Sequence, residues 1–159
     1  MDPTEYRRIA GKYLNAVYRC VFAYCRSREN AEDATQNAFV KLFETDTEFT
    51  DDEHIKRWLI RAAINECKNV WSFIQRRSVV SLEDIDEEPS YMQNRENELL
   101  ELLLKLPKNY RAVLHLYYYE GFSVKETAEI LGISESNAQN RLMRARRKLE
   151  ELIEKEEWL

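Results

Sequence analysis

The sequence contains few of the residues that break helices or form cross-links: 159 residues include 3 glycines, 3 prolines and 3 cysteines. Few obligatory turns follow from this, and the stretches between them are rich in strong helix formers. No apolar run approaches the roughly 20 residues that a transmembrane helix needs, and the first residues lack a signal-peptide pattern. These absences predict an all-α, cytoplasmic protein that does not insert into a membrane.

Residues suited to metal binding or catalysis are equally scarce. Cys20, Cys25 and Cys67 lack the spacing of a metal or disulfide site, and His54 and His115 have no ligand-like spacing with them. There is no nucleophile–base pair and no glycine loop that could bind phosphate. We therefore expect no metal, no cofactor and no enzyme activity, and we interpret the cysteines as buried thiols on helices.

The formal net charge of −5 is distributed unevenly along the chain. Residues 81–106 carry 8 acidic and 2 basic side chains, so the excess of acid lies in the middle. Residues 54–80 hold 6 basic side chains against 1 acid, and residues 137–148 hold 5 basic side chains and no acid. Two basic segments separated by an acidic one suit a protein that contacts nucleic acid at two places.

Apolar residues that recur at intervals of three and four predict three helices in the N-terminal half. The first runs from about Thr4 to Cys25, and the second begins after an N-cap at Asn30. The third runs from about Glu53 to Arg76, after a polar loop at Thr45–Asp52.

The periodicity fails after the third helix, and this failure predicts the domain boundary. Acids accumulate there and Pro89 intervenes. We predict a first domain at residues 1–77, a flexible acidic linker at 78–94 and a second domain at 95–159. The fold class is therefore two small helical domains, a bundle and a helix-turn-helix domain.

The helix-turn-helix is predicted from local signals in the second domain. Pro107 suits the first position of a helix. Ser123 and Glu126 form a capping box that opens a short helix, and Gly132 supplies the turn residue. Ser134 then caps a basic helix that runs to about Glu154, and this order is typical of a helix-turn-helix.

The basic helix has two faces on a helical wheel. The inward face carries the small and apolar side chains Ala138, Leu142, Ala145 and Leu149. The other side carries groups that hydrogen-bond base edges or phosphates, together with an exposed methionine. The candidate DNA-contacting residues are Ser136, Asn137, Gln139, Asn140, Arg141, Met143, Arg144 and Arg147.

The third helix shows a different chemistry, because basic residues alternate with aromatic ones. Trp58, Trp71 and Phe73 lie on it, and the preceding loop presents Phe49. Rings that stack on bases and cations that meet phosphates suit single-stranded nucleic acid. Packing in the core is the alternative interpretation for each ring.

Several segments resemble regions of bacterial RNA polymerase sigma factors. Asn30–Phe43 resembles region 2.2, and Ile55–Asn65 resembles regions 2.3 and 2.4. Three further segments resemble region 4, namely Leu106–Arg111, Glu120–Gly132 and Arg141–Leu149. Regions 2 and 4 with nothing between them are the layout of the extracytoplasmic-function group.

The resemblance implies roles for individual residues. Asp33, Gln36 and Asn37 would bind the clamp helices of the polymerase β′ subunit. Phe49 and Asn65 would form the pocket that captures a flipped base of the −10 element. The opened strand would be held by basic side chains, Lys56, Arg57, Arg61, Arg76 and Arg77. The last helix would enter the major groove at the −35 element.

The function implied is that of a sigma factor, which directs core RNA polymerase to promoters. Its partners would be the β′ clamp helices and the β flap of the polymerase, promoter DNA and an anti-sigma factor. One alternative is a sigma-like decoy that sequesters an anti-sigma factor, although such a decoy could lose its basic faces. Another is a helix-turn-helix regulator independent of polymerase, which would leave the surface at Asp33 and Gln36 without a purpose.

Overall fold

The structure, a computed structural model, describes residues 1–75 and 97–155, and the side chains at residues 1–68 and 101–155. All regular secondary structure in these residues is helical, which confirms the predicted all-α class. The chain falls into two compact units, Met1–Asp86 and Glu87–Leu159. The predicted linker, Arg76 and Arg77 lie outside the described residues. No helix in the described part combines the length and the apolar character required to span a bilayer.

The first unit contains three helices that pack against one another, α1 (Pro3–Cys25), α2 (Arg28–Glu44) and α3 (Asp52–Gln75). Each helix is preceded by an N-cap residue, whose side chain accepts a hydrogen bond from a backbone N–H of the first turn. Asp2 accepts from Thr4 at 2.8 Å and Asp51 accepts from His54 at 2.8 Å. These caps explain why the helices start where they do.

The start of α2 corrects the prediction of an N-cap at Asn30. The cap is Ser27, whose hydroxyl accepts from the Asn30 N–H at 3.2 Å, so α2 begins three residues earlier. Arg26 ends α1 with a φ of 55°, a left-handed conformation that turns the chain sharply. Because α1 and α2 are joined by so short a turn, a serine just after Arg26 is better placed to cap than Asn30.

The core of the first unit is formed by the inward faces of the three helices. α1 contributes Ile9, Val17 and Phe22, α2 contributes Ala38 and Leu42, and α3 contributes Leu59, Ile60 and Ile64. Tyr6 of α1 is half-buried, and its hydroxyl donates to the Phe39 carbonyl at 3.1 Å. Cys20 and Cys67 are buried on helices, as predicted, and Cys25 is half-buried.

The second unit contains α4 (Asn97–Leu104), α5 (Lys108–Leu114), α6 (Val124–Leu131) and α7 (Glu135–Lys155). Pro107 is the N-cap of α5 rather than its first residue. α5 continues into a π-helical segment, His115–Tyr119, that the sequence did not indicate. The Arg111 side chain is buried and donates to the Leu106 carbonyl at 2.8 Å, which joins α5 to the turn that precedes it.

The helix-turn-helix is confirmed in detail. The capping box is present in both directions, with Ser123 accepting from the Glu126 N–H and Glu126 accepting from the Ser123 N–H, each at 3.0 Å. Gly132 has a φ of 69°, a conformation that glycine adopts without strain. Ser134 accepts from the Asn137 N–H at 3.1 Å and so caps α7, which packs against α5 and α6.

Candidate DNA and polymerase interfaces

One face of α7 is buried and the opposite face is open to solvent. Ala138, Leu142 and Ala145 are buried against the rest of the unit, while Leu149 is half-buried. The predicted DNA-contacting residues lie on the other faces. Arg141 is half-buried, and the exposed members are Ser136, Asn137, Gln139, Asn140, Met143, Arg144 and Arg147.

The exposed face of α7 carries cations and amides without acids between Ser136 and Lys148. Met143 keeps 44 % of its surface exposed, and its sulfur lies 4.0 Å from Nη2 of Arg147. A row of amide and guanidinium groups on a helix that follows a tight turn can reach base edges in a major groove. The arrangement therefore suits direct reading of duplex DNA.

Arg146 of α7 makes a contact with two aromatic rings that the sequence analysis did not predict. The Arg146 guanidinium lies 5.9 Å from the Tyr117 ring centre and 5.3 Å from the Tyr118 ring centre. Both tyrosines belong to the π-helical segment, so this cation is directed towards α5 rather than along the face of Arg144. Arg146 thus contributes to packing inside the unit, and its place in the basic run gave no sign of this.

The loop between α2 and α3, residues 45–51, is ordered by its own hydrogen bonds. The Thr47 N–H donates to the Thr45 hydroxyl at 3.2 Å, and the Thr50 N–H donates to Nδ1 of His54 at 3.2 Å. Asp51 caps α3, as described above. These short-range bonds fix the loop at both of its ends.

The sequence suggested that the loop exposes the Phe49 ring. In the structure this ring is half-buried. It meets the His54 ring edge-on at 5.1 Å and the Trp58 ring edge-on at 5.7 Å between centres. The correction has a simple cause, because a phenyl group beside two aromatic side chains of the next helix packs on them. The Phe49 ring therefore lies against α3 and does not project into solvent.

One stripe of α3 continues from these aromatic contacts. His54, Trp58, Arg61 and Asn65 follow at helical spacings of three and four, so they share one face. Arg61 and Asn65 are exposed, and Arg57 borders the stripe. The structure thus brings Phe49, Arg61 and Asn65 to one side of the unit, with a ring at one end and hydrogen-bonding groups along it.

Lys56 lies apart from this stripe. Its ammonium group is 6.0 Å from the Tyr13 ring centre, so it faces α1. The acid Glu66 of α3 pairs with Lys41 of α2, which offsets its charge on this helix. Arg61 lies in the stripe and Arg57 borders it.

A cavity of about 500 Å³ lies between the loop and the start of α1. Thr45, Thr47, Glu48, Phe49 and Thr50 line it from the loop. Met1 and Glu5 line it from α1, and Ile55 from α3. The contribution of α1 could not be read from the sequence, because some forty residues separate it from the loop.

The exposed face of α2 is the third candidate surface. Asp33, Gln36 and Asn37 are exposed, while Ala34, Thr35 and Ala38 are buried on the opposite side. The same face continues with two large apolar residues that sequence reasoning did not single out: Val40 is 52 % exposed and Phe43 is 50 % exposed. Val40 and Phe43 each lie about two helical turns after Asp33 and Gln36, and this spacing in the sequence could have placed them on the same face. A polar patch that ends in exposed apolar groups is typical of a protein-binding surface.

Two sequence families match the chain. The family described as Sigma-70 region 2 matches residues 9–77, and the family described as Sigma-70, region 4 matches residues 96–149. The first contains α2, the loop and α3, and the second contains the helix-turn-helix. The three candidate surfaces thus fall within matched regions.

Relatives match along most of both sequences. ECF RNA polymerase sigma factor SigM of Bacillus subtilis is 28% identical over 147 residues, which cover 88% of this chain and 90% of that protein. ECF RNA polymerase sigma factor SigM of Mycobacterium tuberculosis is 25% identical over 154 residues, which cover 96% of this chain and 79% of that protein.

Solved structures share the fold. The sigma factor RpoE, solved in complex with the anti-sigma factor NepR from Bartonella quintana, superimposes with a TM-score of 0.74 at 22% identity. That match covers 94% of this chain and 97% of RpoE. CnrH, solved in complex with the cytosolic domain of CnrY, gives a TM-score of 0.66 at 22% identity, covering 96% of this chain and 90% of CnrH.

The two regions occur in the same chain, in this order, and the relatives match over most of their length. The helical architecture agrees with that of solved sigma factors. The chain therefore belongs to the sigma-70 family, in the extracytoplasmic-function group of RNA polymerase sigma factors.

Proposed function

We propose that the protein directs core RNA polymerase to promoters by dividing the recognition of DNA between its two units. The region 4 domain, at residues 95–159, reads duplex DNA at the −35 element through α7. The region 2 domain, at residues 1–77, docks on the polymerase through α2 and holds opened DNA at the −10 element through the loop and α3. An acidic linker at residues 78–94 joins them. In this role the protein is a cytoplasmic initiation factor and performs no catalysis itself.

The exposed face of α2 is the observation that carries this proposal. A helix-turn-helix regulator that worked without polymerase would have no use for a polar and apolar surface on the unit that lacks the DNA-reading helix. Asp33, Gln36 and Asn37 form the centre of the face, and Val40 and Phe43 extend it by two turns. We assign it to the clamp helices of the β′ subunit.

The surfaces for DNA support the same function and argue against a decoy. This chain has both basic surfaces that a decoy could lose, the acid-free face of α7 and the cations along the stripe of α3. A protein that only sequestered an anti-sigma factor would not need either. We assign further contacts of region 4 to the β flap, and we expect an anti-sigma factor to cover one or more of these surfaces.

Charge reversal on α2 tests the proposal. Asp33→Lys places a cation at the centre of the face, and lysine is a better helix former than aspartate, so the fold is expected to persist. We expect affinity for core polymerase, measured without DNA, to fall about ten-fold, which corresponds to the loss of one hot-spot contact of more than about 1 kcal/mol. The matched control is Glu53→Lys, an exposed acid in the first turn of α3.

Two results would contradict the assignment. Equal affinities of wild type and Asp33→Lys would remove α2 from the polymerase interface. Absence of any binding between the wild-type protein and core polymerase would favour the decoy or the polymerase-independent regulator. Mapping of transcription starts with the reconstituted holoenzyme then identifies the promoters.

A further inference from the structure

Three side chains join the start of α1 to the start of α3. Arg8 donates to both carboxylate oxygens of Asp52, from Nη1 at 2.7 Å and from Nη2 at 3.0 Å. Lys12 donates to the same carboxylate at 3.1 Å. Asp52 therefore accepts a two-pronged guanidinium contact and an ammonium contact, both from α1, and these residues are called the Asp52 clamp below.

The position of Asp52 gives the clamp its significance. Asp52 is the first residue of α3 and follows the loop directly. Its neighbour Asp51 caps α3 through the His54 N–H, and His54 in turn packs on Phe49. A movement of Asp52 would therefore be passed to the cap and to the Phe49 ring.

Asp52 also lines the cavity between α1 and the loop. Met1 and Glu5 of α1 line one side, and Phe49 and Thr50 of the loop line the other. Glu5 lies one turn before Arg8, with its carboxylate 3.8 Å from Nη2 of Arg8. Arg8 and Lys12 thus contact α3 at the residue that directly follows the loop.

A contribution to stability alone does not explain this arrangement. The side chains of Arg8 and Asp52 are 50 % and 31 % exposed, and exposed ion pairs typically stabilise a protein little. What a two-pronged contact does provide is a defined geometry, since the guanidinium plane matches the carboxylate plane. The clamp is thus better suited to hold a position than to stabilise the fold.

Asp52 remains ionised under all physiological conditions. Its hydrogen bonds from Arg8 and then Lys12 hold its pKa well below the ordinary value of 3.8. A carboxyl group whose pKa is lowered on folding favours the folded state above its unfolded pKa, and this contribution is lost as the pH falls further. The clamp is therefore intact near neutral pH and weakens only in acid below about pH 4.

We propose that Arg8 and Lys12 are positioning residues for the −10 loop, and that they keep its pocket open before DNA arrives. The proposal rests on the proposed function, in which the loop captures a base. A pocket that is already formed does not have to be ordered when the base enters, which favours capture. If the clamp is broken, the loop samples other positions and the apparent affinity for the base falls in proportion.

The experiment uses the complete holoenzyme and a set of pre-melted promoter bubbles. The four bubbles differ only in the base at the captured position, and run-off transcription from each gives the discrimination between bases. The first variant is Asp52→Asn, which keeps the size of the side chain. A charge-swap cycle in a Lys12→Gln background then compares Arg8→Glu, Asp52→Arg and the two together.

The controls carry the same charge changes at neighbouring positions outside the clamp. Arg7→Glu is an exposed residue next to Arg8, and Glu53→Arg is an exposed residue next to Asp52. Binding to core polymerase without DNA is measured for every protein. We expect all of them to bind core polymerase as the wild type does, because α2 is unchanged.

Because only the preferred base gains from capture by the pocket, a fall of the competent loop conformation to about one-tenth of the population should lower transcription from that bubble alone. The discrimination between bases should then fall by about ten-fold in the single clamp variants. The charge-swapped protein should recover most of this loss. A loss of folded protein would lower transcription from all four bubbles equally and would leave the ratios unchanged. Unchanged ratios in the clamp variants overturn the proposal.

Phe49→Ala, measured on the same bubbles, separates this proposal from the proposed function. If Phe49→Ala loses discrimination while the clamp variants keep it, the loop reads the base and the clamp has no part in it. If Phe49→Ala also keeps full discrimination, the loop does not read the base, and the clamp proposal fails together with that assignment.

Discussion

The two candidate DNA surfaces of this protein are built in opposite ways. The face of α7 is formed by one helix, and every candidate contact on it follows from the helical repeat. The candidate −10 surface is assembled from a loop, a stripe of α3 and the start of α1, which are brought together by contacts such as that of Phe49 with Trp58. The first is a local structure, and the second is a tertiary one.

This difference matters for how each surface meets its target. Duplex DNA offers a regular groove, so a helix that is capped at Ser134 and follows the turn at Gly132 is sufficient to present base-reading groups. A base that leaves the stack must be received by a concave site, and a single helix cannot form one. Mutations should therefore act one side chain at a time on α7 but cooperatively around the loop.

The largest effect is expected at Phe49 and Asn65. Leaving the stack costs a base a few kcal/mol, and a pocket with a ring and hydrogen-bonding groups offsets that cost. Phe49→Ala or Asn65→Ala should therefore impair promoter opening more than initial binding, because the −35 contacts remain. Permanganate footprinting and run-off transcription measure the two steps, and a pre-melted bubble should restore much of the transcription but not the base recognition.

Two control variants accompany this prediction, one for the ring of Phe49 and one for the amide of Asn65. Phe49→Tyr keeps the ring and should open promoters nearly as the wild type does, and Asn15→Ala removes an exposed amide from α1. Normal melting of duplex promoters by both Phe49→Ala and Asn65→Ala would reduce the loop to a connector. The −10 contacts would then have to lie elsewhere on α3.

A smaller effect is expected on α7, where Arg144 and Arg147 should differ in kind. Arg144→Ala should cost about 1–3 kcal/mol at the preferred −35 sequence, as expected for the loss of a two-pronged base contact. Arg147→Ala should weaken binding to all sequences more evenly, as a phosphate contact would. Binding of the holoenzyme to matched and scrambled −35 sites tests the distinction, and equal losses at both sites for both variants would contradict it.

The smallest effect is expected from a glycine-to-alanine substitution, which should change the stability of the two units in opposite directions. Gly11 lies in the middle of α1 with open space around it, so Gly11→Ala should stabilise the first unit by about 0.5–1 kcal/mol. Gly132 also has open space but has a φ of 69°, so Gly132→Ala should destabilise the second unit by about 1–2 kcal/mol.

Hydrogen exchange resolved by peptide measures the effect on each unit within the intact protein. Changes of opposite sign in the amides of α1 and of α6 are expected. A loss of protection in α1 on Gly11→Ala would show that this glycine has a role other than its conformation. Unaltered protection in α6 on Gly132→Ala would show that the turn tolerates a side chain.

Sequence patterns predicted the local features well because those features depend on neighbours in the chain. The capping box at Ser123 and Glu126, the turn at Gly132 and the buried face of Ala138, Leu142 and Ala145 are confirmed. The cap of α2 was placed wrongly at Asn30, since several polar residues near Arg26 could serve as the cap. The choice depended on how sharply α1 ended.

The sequence by itself determined the helices, the helix-turn-helix and the charge of the two surfaces, since each depends on residues within a few positions of one another. Only the tertiary structure decided that Phe49 packs on Trp58, that Lys56 turns to α1 and that Arg8 holds Asp52. Arg8 and Asp52 are 44 residues apart. No short-range repeat connects such residues, and they meet only because the apolar faces of α1, α2 and α3 are buried together.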